Sequence, residues 1–459
     1  MAVEMEDTIA AISTPIGVGG IGIVRMSGSK SQEILNRIFR TKSGKQLTGL
    51  EDRRFYYGHI VDGQGQVIDE VLVVVMKAPH SYTKEDVVEI HCHGGIIPLR
   101  QILKLVIECG ARLAQPGEFT KRAFLNGRID LAQAEGIMEL IYSQTEIQAR
   151  ASIKHMEGAL SEKIRGIRGK LLNVMAHIEV TIDYPEEDIE ELPRENYLQD
   201  LDEVMKEIDY LLSTAEQGKI IRHGIKVVIV GKPNVGKSSL LNALLKENRA
   251  IVTDIPGTTR DVIEESLNIN GLLVRILDTA GIRETTDIVE ELGVERSRKS
   301  IEEADLVLWV LDASRPFDDE DKRIMAEIAD KKVIAVVNKI DKPIVLDLND
   351  IELNVPVIRA SMILNKGIED IERCIYDAVM EGKVESDDGI FITNLRHQEA
   401  LMRAKEHVVE AMKALEGGIP VDLVSIDIRE ACDALGAITG EAVTEDLIEK
   451  IFSEFCVGK

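Results

Sequence analysis

The eight residues Gly231-Lys-Pro-Asn-Val-Gly236-Lys237-Ser238 have the types and spacing to hold an anion. They match GxxxxGK[ST], follow an apolar run at 226–230 and precede an apolar-rich stretch at 240–245, the strand–loop–helix setting in which that spacing works. In such a loop, backbone amides from Gly231 through Asn234, Val235 and Gly236 to Ser239, together with the helix N-terminus, face phosphate oxygens. Lys237 reaches the β- and γ-phosphates, and the Ser238 hydroxyl is a ligand for Mg²⁺.

Four further segments follow in the order a guanine-nucleotide site requires. Asn338-Lys339-Ile-Asp341 ends an apolar run at 333–337, where the Asp341 carboxylate can accept from the ring N–H and exocyclic amine of guanine. Adenine carries an acceptor at that ring position, so Asp341 selects GTP over ATP. Asp278-Thr279-Ala280-Gly281 supplies an aspartate on the Mg²⁺ side and a glycine that senses the γ-phosphate. Thr253-Asp254-Ile255-Pro256-Gly257-Thr258-Thr259 occupies the place of a first switch, with Thr259 closing on Mg²⁺. Ala360-Ser361 fits the last guanine-contacting loop. Ile282 stands where Ras-type enzymes place a water-orienting glutamine, and an isoleucine can neither orient nor deprotonate water. Arg283, Glu284 and Glu290 are the nearby candidates for that task, and the compensating cation must come from a second protein or a monovalent metal ion.

The chain that positions these motifs has 459 residues, room for two to four domains at roughly 100–200 residues each. Short apolar runs at 226–230, 273–277, 305–311 and 333–337, separated by helical stretches, predict a parallel sheet wrapped by helices over 221–383. Residues 1–118 read as a small α+β domain, with strands at 71–75 and 87–90, a turn at Asp62-Gly63 and Gly65, and a helix at 96–109 closed by Gly110. Residues 119–220 and 384–459 read as helical. Leu160, Ile164, Ile167, Leu171, Val174 and Ile178 step by three and four, as do Leu401, Ala404, Val408, Ala411 and Leu415. A stripe on each side of the α/β block predicts one helical domain interrupted by an insertion. The acidic run at 183–193 reads as a solvated connection.

Eighty acidic against 55 basic side chains give a formal charge of −25, which favours solubility and argues against a surface that coats nucleic acid, although a local basic patch can still bind RNA. A hydrophobic content of 44% excludes disorder as the whole answer. No apolar run approaches the roughly 20 residues that span a bilayer, and the acidic N-terminus lacks a secretory pattern, so a cytoplasmic, non-membrane protein is expected. Five scattered cysteines without a CxxC pair suit reduced thiols. His91-Cys92-His93 admits a metal cluster or a strand end entering the Gly94-Gly95 turn. Strand alternation turns Cys92 away from the two histidines, which favours the strand end.

The nucleotide motifs stand in one chain with Pro116-Gly117-Glu118-Phe119-Thr120, Arg122-Ala-Phe-Leu-Asn126, Asp130-Leu-Ala-Gln-Ala-Glu135 and the tail Cys456-Val-Gly-Lys459. In this combination the sequence resembles the bacterial tRNA-modification GTPases of the TrmE–Era–EngA-like family over essentially its whole length. The family tail is commonly Cys-Ile-Gly-Lys, so Val457 is a variation. The resemblance implies a multidomain α/β plus α-helical protein, with a P-loop GTPase domain inserted into a helical domain and preceded by an α+β folate-binding domain that dimerises. It implies a 5-formyl-tetrahydrofolate-type carrier held by Arg25, Glu89, Lys459 and Arg128, where relatives often carry lysine at the last position. It also implies K⁺ in place of an arginine finger, enclosed by Asn234, the carbonyls of Thr253 and Ile255, and Thr258. Glu290 would position the hydrolytic water, with Glu284 as the alternative. Cys456 becomes a motif residue near the folate, with a chemical or a binding role left open. The implied partners are a second copy, an MnmG-like flavoprotein in a heterotetramer or larger complex, and tRNA. The implied function is K⁺-stimulated GTP hydrolysis coupled to modification of C5 of a wobble uridine with a folate-derived carbon. A ribosome-assembly GTPase would share the nucleotide motifs but would leave Arg25, Glu89 and the tail unexplained.

Overall fold

The computed structural model describes residues 7–46, 49–183, 193–248, 265–277, 298–348, 355–380 and 389–459. Its first sheet contains β1 (Ile9–Ile12), β2 (Ile21–Ser27), β3 (Phe39–Thr41), β4 (Phe55–Val61), β5 (Val67–Met76), β6 (Val87–His93) and β7 (Arg112–Leu113), in the order β3-β4-β5-β6-β2-β1-β7. All neighbours are antiparallel except β1 and β7. Period-two alternation sends Val24, Met26, Val73, Val75, Val88 and Ile90 into one core. Helices α1 (Ser31–Ile38) and α2 (Ile96–Glu108) close that core with Ile34, Leu35 and Ile38 and with Leu99, Ile102, Leu105 and Val106, spaced at helical intervals. The strands and the helix expected over 71–109 form, and Cys109 caps α2 one residue earlier than expected.

Helices follow: α3 (Glu118–Leu125), α4 (Leu131–Tyr142), α5 (Glu146–Met156), α6 (Ala159–Asp183), α7 (Arg194–Ser213) and α8 (Ala215–His223). Every apolar residue of the 160–178 stripe is buried on α6. The second sheet contains β8 (Ile225–Val230), β9 (Glu265–Ile269), β10 (Leu272–Leu277), β11 (Leu306–Asp312), β12 (Val333–Asn338) and β13 (Val357–Arg359), ordered β13-β12-β11-β8-β10-β9. Its pairs are parallel apart from β9–β10. Leu306, Leu308 and Val310 enter the core closed by α9 (Lys237–Asn248) and by an α-helix at Ile368–Met380, whereas Val307, Trp309 and Leu311 enter the core on the opposite face. A continuous apolar run is what a strand covered on both faces requires. Helix α10 (Asp319–Glu327) precedes β12, and the helix at 368–380 is α11. The chain ends in α12 (Leu395–Glu416), which buries the 401–415 stripe, α13 (Val421–Thr439), α14 (Glu445–Ser453) and the tail.

Two compact units result, one holding Met1–Met138, Met156–Asn173 and Ile428–Lys459, the other Glu139–His155 and Val174–Asp427. In the first, the Arg122 side chain is 1% exposed and pairs with Asp7 at 2.6 Å, Glu118 at 3.1 Å and Glu85 at 3.2 Å. Arg112 adds a second guanidinium to Asp7 and Glu118. Arg122→Met removes the central cation and leaves carboxylates facing one another, which should destabilise this unit by about 3–5 kcal/mol. Urea unfolding followed by far-ultraviolet circular dichroism checks this, and a midpoint equal to that of the unmodified chain would refute it.

Candidate functional site

In the second unit, residues 231–236 link β8 to α9. Gly231 and Gly236 adopt φ of 146° and 108°, and Asn234 adopts 64°. These left-handed conformations turn the chain tightly enough to bring Lys237 back over its own loop. Lys237 Nζ donates to Gly231 O at 2.6 Å and to Lys232 O at 2.9 Å. Burial pushes its pKa below the usual ammonium value, while Glu320 opposes that shift. Ser238 and Ser239 follow in the first turn of α9.

The residues at the ends of β12 and β13 are drawn onto this loop. Asn338 Nδ2 donates to Val235 O at 2.9 Å, and its Oδ1 accepts from Met362 N at 3.3 Å. Gly236 is indispensable at this contact, since a Cβ there would stand 2.2 Å from Asn338 Nδ2. Lys339 Nζ donates to Asn234 O at 2.5 Å and to Asp312 at 2.7 Å. Ser361 Oγ donates to Asp341 Oδ1 at 2.5 Å, which fixes the orientation of that carboxylate. Gly231, Asn234 to Lys237, Asn338, Lys339, Asp341 and Ser361 therefore gather at the C-terminal edge of a parallel sheet, where open α/β folds bind ligands.

Asp312 went unnoticed in the sequence, although it is the polar residue that ends the apolar run of β11. Burial raises its pKa, but hydrogen bonds from Lys339 and Ser314 outweigh that and hold it below the usual carboxylate range. Thr253 to Thr259, Asp278 to Gly281, Ile282, Arg283, Glu284 and Glu290 lie outside the described residues.

A second cluster forms in the first unit. Antiparallel pairing sets Arg25 opposite Glu89, and the two side chains form an ion pair at 2.8 Å. Two of the residues that the resemblance assigns to the folate are thus engaged with each other. His91 Nε2 lies 3.1 Å from the other Glu89 oxygen. The guanidinium of Arg128 lies 4.7 Å from the Tyr82 ring centroid and that of Arg25 5.6 Å from it, while the Tyr82 hydroxyl meets Thr120 Oγ1 at 2.9 Å.

The tail docks here through Arg25 Nη1 and Ser13 Oγ, which both donate to Gly458 O. Gly458 has φ 95°, and a Cβ on it would meet Ile12 O at 2.3 Å, so only glycine seats the tail this closely. Burial, followed by the nearby Arg25 charge, lowers the pKa of Lys459. Cys456 is exposed, and its carbonyl accepts from Gly117 N. His93 pairs with Asp69 and is the last residue of β6, just ahead of Gly94-Gly95. Tyr82 and His91 were missed as members of this cluster, although alternation already placed His91 on the same face as Glu89.

One more polar cluster lies in the second unit, with no counterpart among the sequence motifs. Glu139 accepts from Thr393 Oγ1 at 2.9 Å and pairs with Arg222 at 3.3 Å and His155 Nδ1 at 3.2 Å. His155 Nε2 contacts Phe391 O at 2.8 Å. Arg222 lies in the last turn of α8, shortly before β8, and Phe391 and Thr393 follow α11, so the cluster joins the chain on both sides of the second sheet.

The family model described as GTP-binding protein TrmE N-terminus matches residues 8–128, and the MnmE helical domain model matches 131–456. A protein of Alkaliphilus oremlandii (strain OhILAs) named tRNA modification GTPase MnmE is 51% identical over 459 residues, covering 99% of this chain and 100% of its own. A protein of the same name from Geobacillus thermodenitrificans (strain NG80-2) is 50% identical over 458 residues, with 99% of each chain covered. Agreement of this depth from end to end, on top of the two clusters, leaves one assignment: the chain belongs to the MnmE family of tRNA modification GTPases.

Proposed function

We propose that the protein is a K⁺-stimulated GTPase that works in the cytoplasm as a homodimer with an MnmG-like flavoprotein, modifying C5 of the wobble uridine of certain tRNAs with a carbon from a tetrahydrofolate derivative. Residues 221–383 act as the inserted G domain, 119–220 and 384–459 as the helical domain, and 1–118 as the folate-binding, dimerising domain. The observation that carries the folate part is the meeting of Arg25, Glu89 and Arg128 with a tail that is 433 positions from Arg25 at Gly458. The cations Arg25, Arg128 and Lys459 together with the Glu89 carboxylate suit a ligand with two carboxylates and a hydrogen-bond-donating ring, and the aromatic Tyr82 supports its orientation.

On the nucleotide side, Lys237 and the backbone amides of Asn234 to Ser239 bind phosphate, and Asp341, held by Ser361, reads guanine. Asn338 and Lys339 brace the loop. Ser238 with Thr259 offers hard oxygen ligands of the kind Mg²⁺ takes. Asn234, with Thr253, Ile255 and Thr258, offers the amide and carbonyl oxygens suited to K⁺. Bound there, the two cations would neutralise charge developing on the phosphate oxygens. Glu290 positions water. No helix among the described residues is long and apolar enough to cross a membrane.

Equilibrium binding of 5-formyl-tetrahydrofolate by the full chain tests the folate reading. Saturable binding is expected, lost in Arg25→Ala. Absence of binding by a chain that still hydrolyses GTP would instead support an assembly GTPase. Exchange of KCl for NaCl should lower GTP turnover about tenfold or more if K⁺ supplies charge neutralisation of the size attributed to one preorganised donor, and equal rates would remove K⁺ from the proposal.

A further inference from the structure

The GxxxxGK[ST] pattern leaves its second position open, and here that position is Lys232. Its side chain is 7% exposed, and its Nζ lies 2.7 Å from Asp318 and 2.6 Å from Asp321. The same two aspartates form the capping box of α10: Asp318 accepts from the amides of Glu320 and Asp321, and Asp321 accepts from the amide of Asp318. A helix N-terminus is the positive end of the dipole, so a buried ammonium there is unfavourable for the helix unless both carboxylates compensate it. Helix capping therefore gives no reason for a lysine at this place. The reason lies on the other side of the residue, where Lys232 O accepts from Lys237 Nζ at 2.9 Å beside Gly231 O.

We propose that Lys232 is a positioning residue for GTP binding, which fixes the outer limb of the phosphate loop to the start of α10 and so sets where Lys237 can reach. Burial opposes the Lys232 charge, but the hydrogen bonds it donates to both aspartates outweigh that and keep its pKa raised, consistent with a persistent ion-pair clasp. When Lys232 is removed, Asp318 and Asp321 face each other uncompensated. The loop limb then loses its anchor, and Lys237 loses the defined carbonyl position from which it turns to phosphate. The inference rests on the reading of 231–238 as the phosphate-binding loop.

The test uses the full chain, with GDP binding by fluorescent analogue and GTP turnover in KCl. Lys232→Met should raise the dissociation constant for GDP and the KM for GTP about tenfold, with kcat changed by less than about threefold, the pattern of lost ground-state positioning. Lys232→Arg, which keeps the charge and both carboxylate contacts, should restore most of the affinity. A purely structural role would lower the melting temperature and the active fraction while leaving KM and GDP affinity unchanged, and that result overturns the proposal. Should Lys232→Met not fold, Asp318→Asn decides the matter, because Asp318 is 53% exposed on its side chain and tolerates the change. Reduced GDP affinity in that variant supports the clasp, and unchanged affinity overturns it. If the unmodified chain binds no GDP, the loop reading itself fails, which is a separate outcome.

Discussion

Gly236→Ala should weaken GTP binding about thirtyfold or more in a chain that still folds. Two costs combine at this residue. Its φ of 108° lies where an alanine is strained, at about 1–3 kcal/mol. Its new methyl would also stand 2.2 Å from Asn338 Nδ2, the atom that donates to Val235 O. Asn338 cannot yield without breaking that bond and its acceptance from Met362 N, and leaving such buried groups unpaired costs about 1–3 kcal/mol more. Relief by moving the loop instead carries Lys237 and the phosphate-facing amides away from their positions. A total of about 2–6 kcal/mol corresponds to a loss of about thirtyfold or more in affinity. Isothermal titration with GDP and GTP measures it directly. Affinity within threefold of the unmodified chain would show that the Asn338 bridge is not the constraint argued here.

The second large effect is expected at Glu139, which no nucleotide or folate motif includes. It is the sole carboxylate among the described partners of Arg222 and His155, and Thr393 donates to it as well. Glu139→Ala strands the Arg222 guanidinium in a largely buried site and should lower the stability of the second unit by about 3–5 kcal/mol. The chain has a single tryptophan, Trp309, fully buried in the second sheet, so its fluorescence reports urea unfolding of this unit.

Burial raises the Glu139 pKa, yet the His155 bond and charge and the Arg222 charge outweigh it, leaving the folded value lowered. The sign follows: its contribution is fully present above the ordinary carboxylate range and is lost as pH falls through the lowered folded value. Glu139→Gln, which keeps the shape, should therefore match Glu139→Ala in flattening the acid limb of the stability profile. An unchanged profile in both variants would remove the charge from the explanation.

Much of the framework is local and was therefore readable. The apolar runs at 306–311 and 333–337 are continuous because both sheet faces are covered, and the stripes at 160–178 and 401–415 recur at helical intervals because one helix face is buried. The phosphate-loop pattern carries its own context of strand before and helix after. Short-range periodicity and turn chemistry act through neighbours a few residues apart, so they survive in a linear string.

What could not be read from the string is which distant side chains meet. Arg25 and Glu89 are engaged with each other because β2 and β6 are neighbours in register, although 64 positions separate them. Lys232 meets Asp318 and Asp321 across 86 and 89 positions because β8 and β11 are parallel neighbours, so the segments that follow their C-terminal ends lie side by side. The Glu139 cluster depends on helices folding back beside both ends of the second sheet's segment. By itself the sequence determined the element types, the family resemblance and the place of the GxxxxGK[ST] loop between a strand and a helix. Tertiary structure alone decided the ion pairs that brace that loop, the docking of the tail beside Arg25 and the buried Glu139 clasp. Those contacts arise from strand order and helix packing, which bring together charges that no local propensity links.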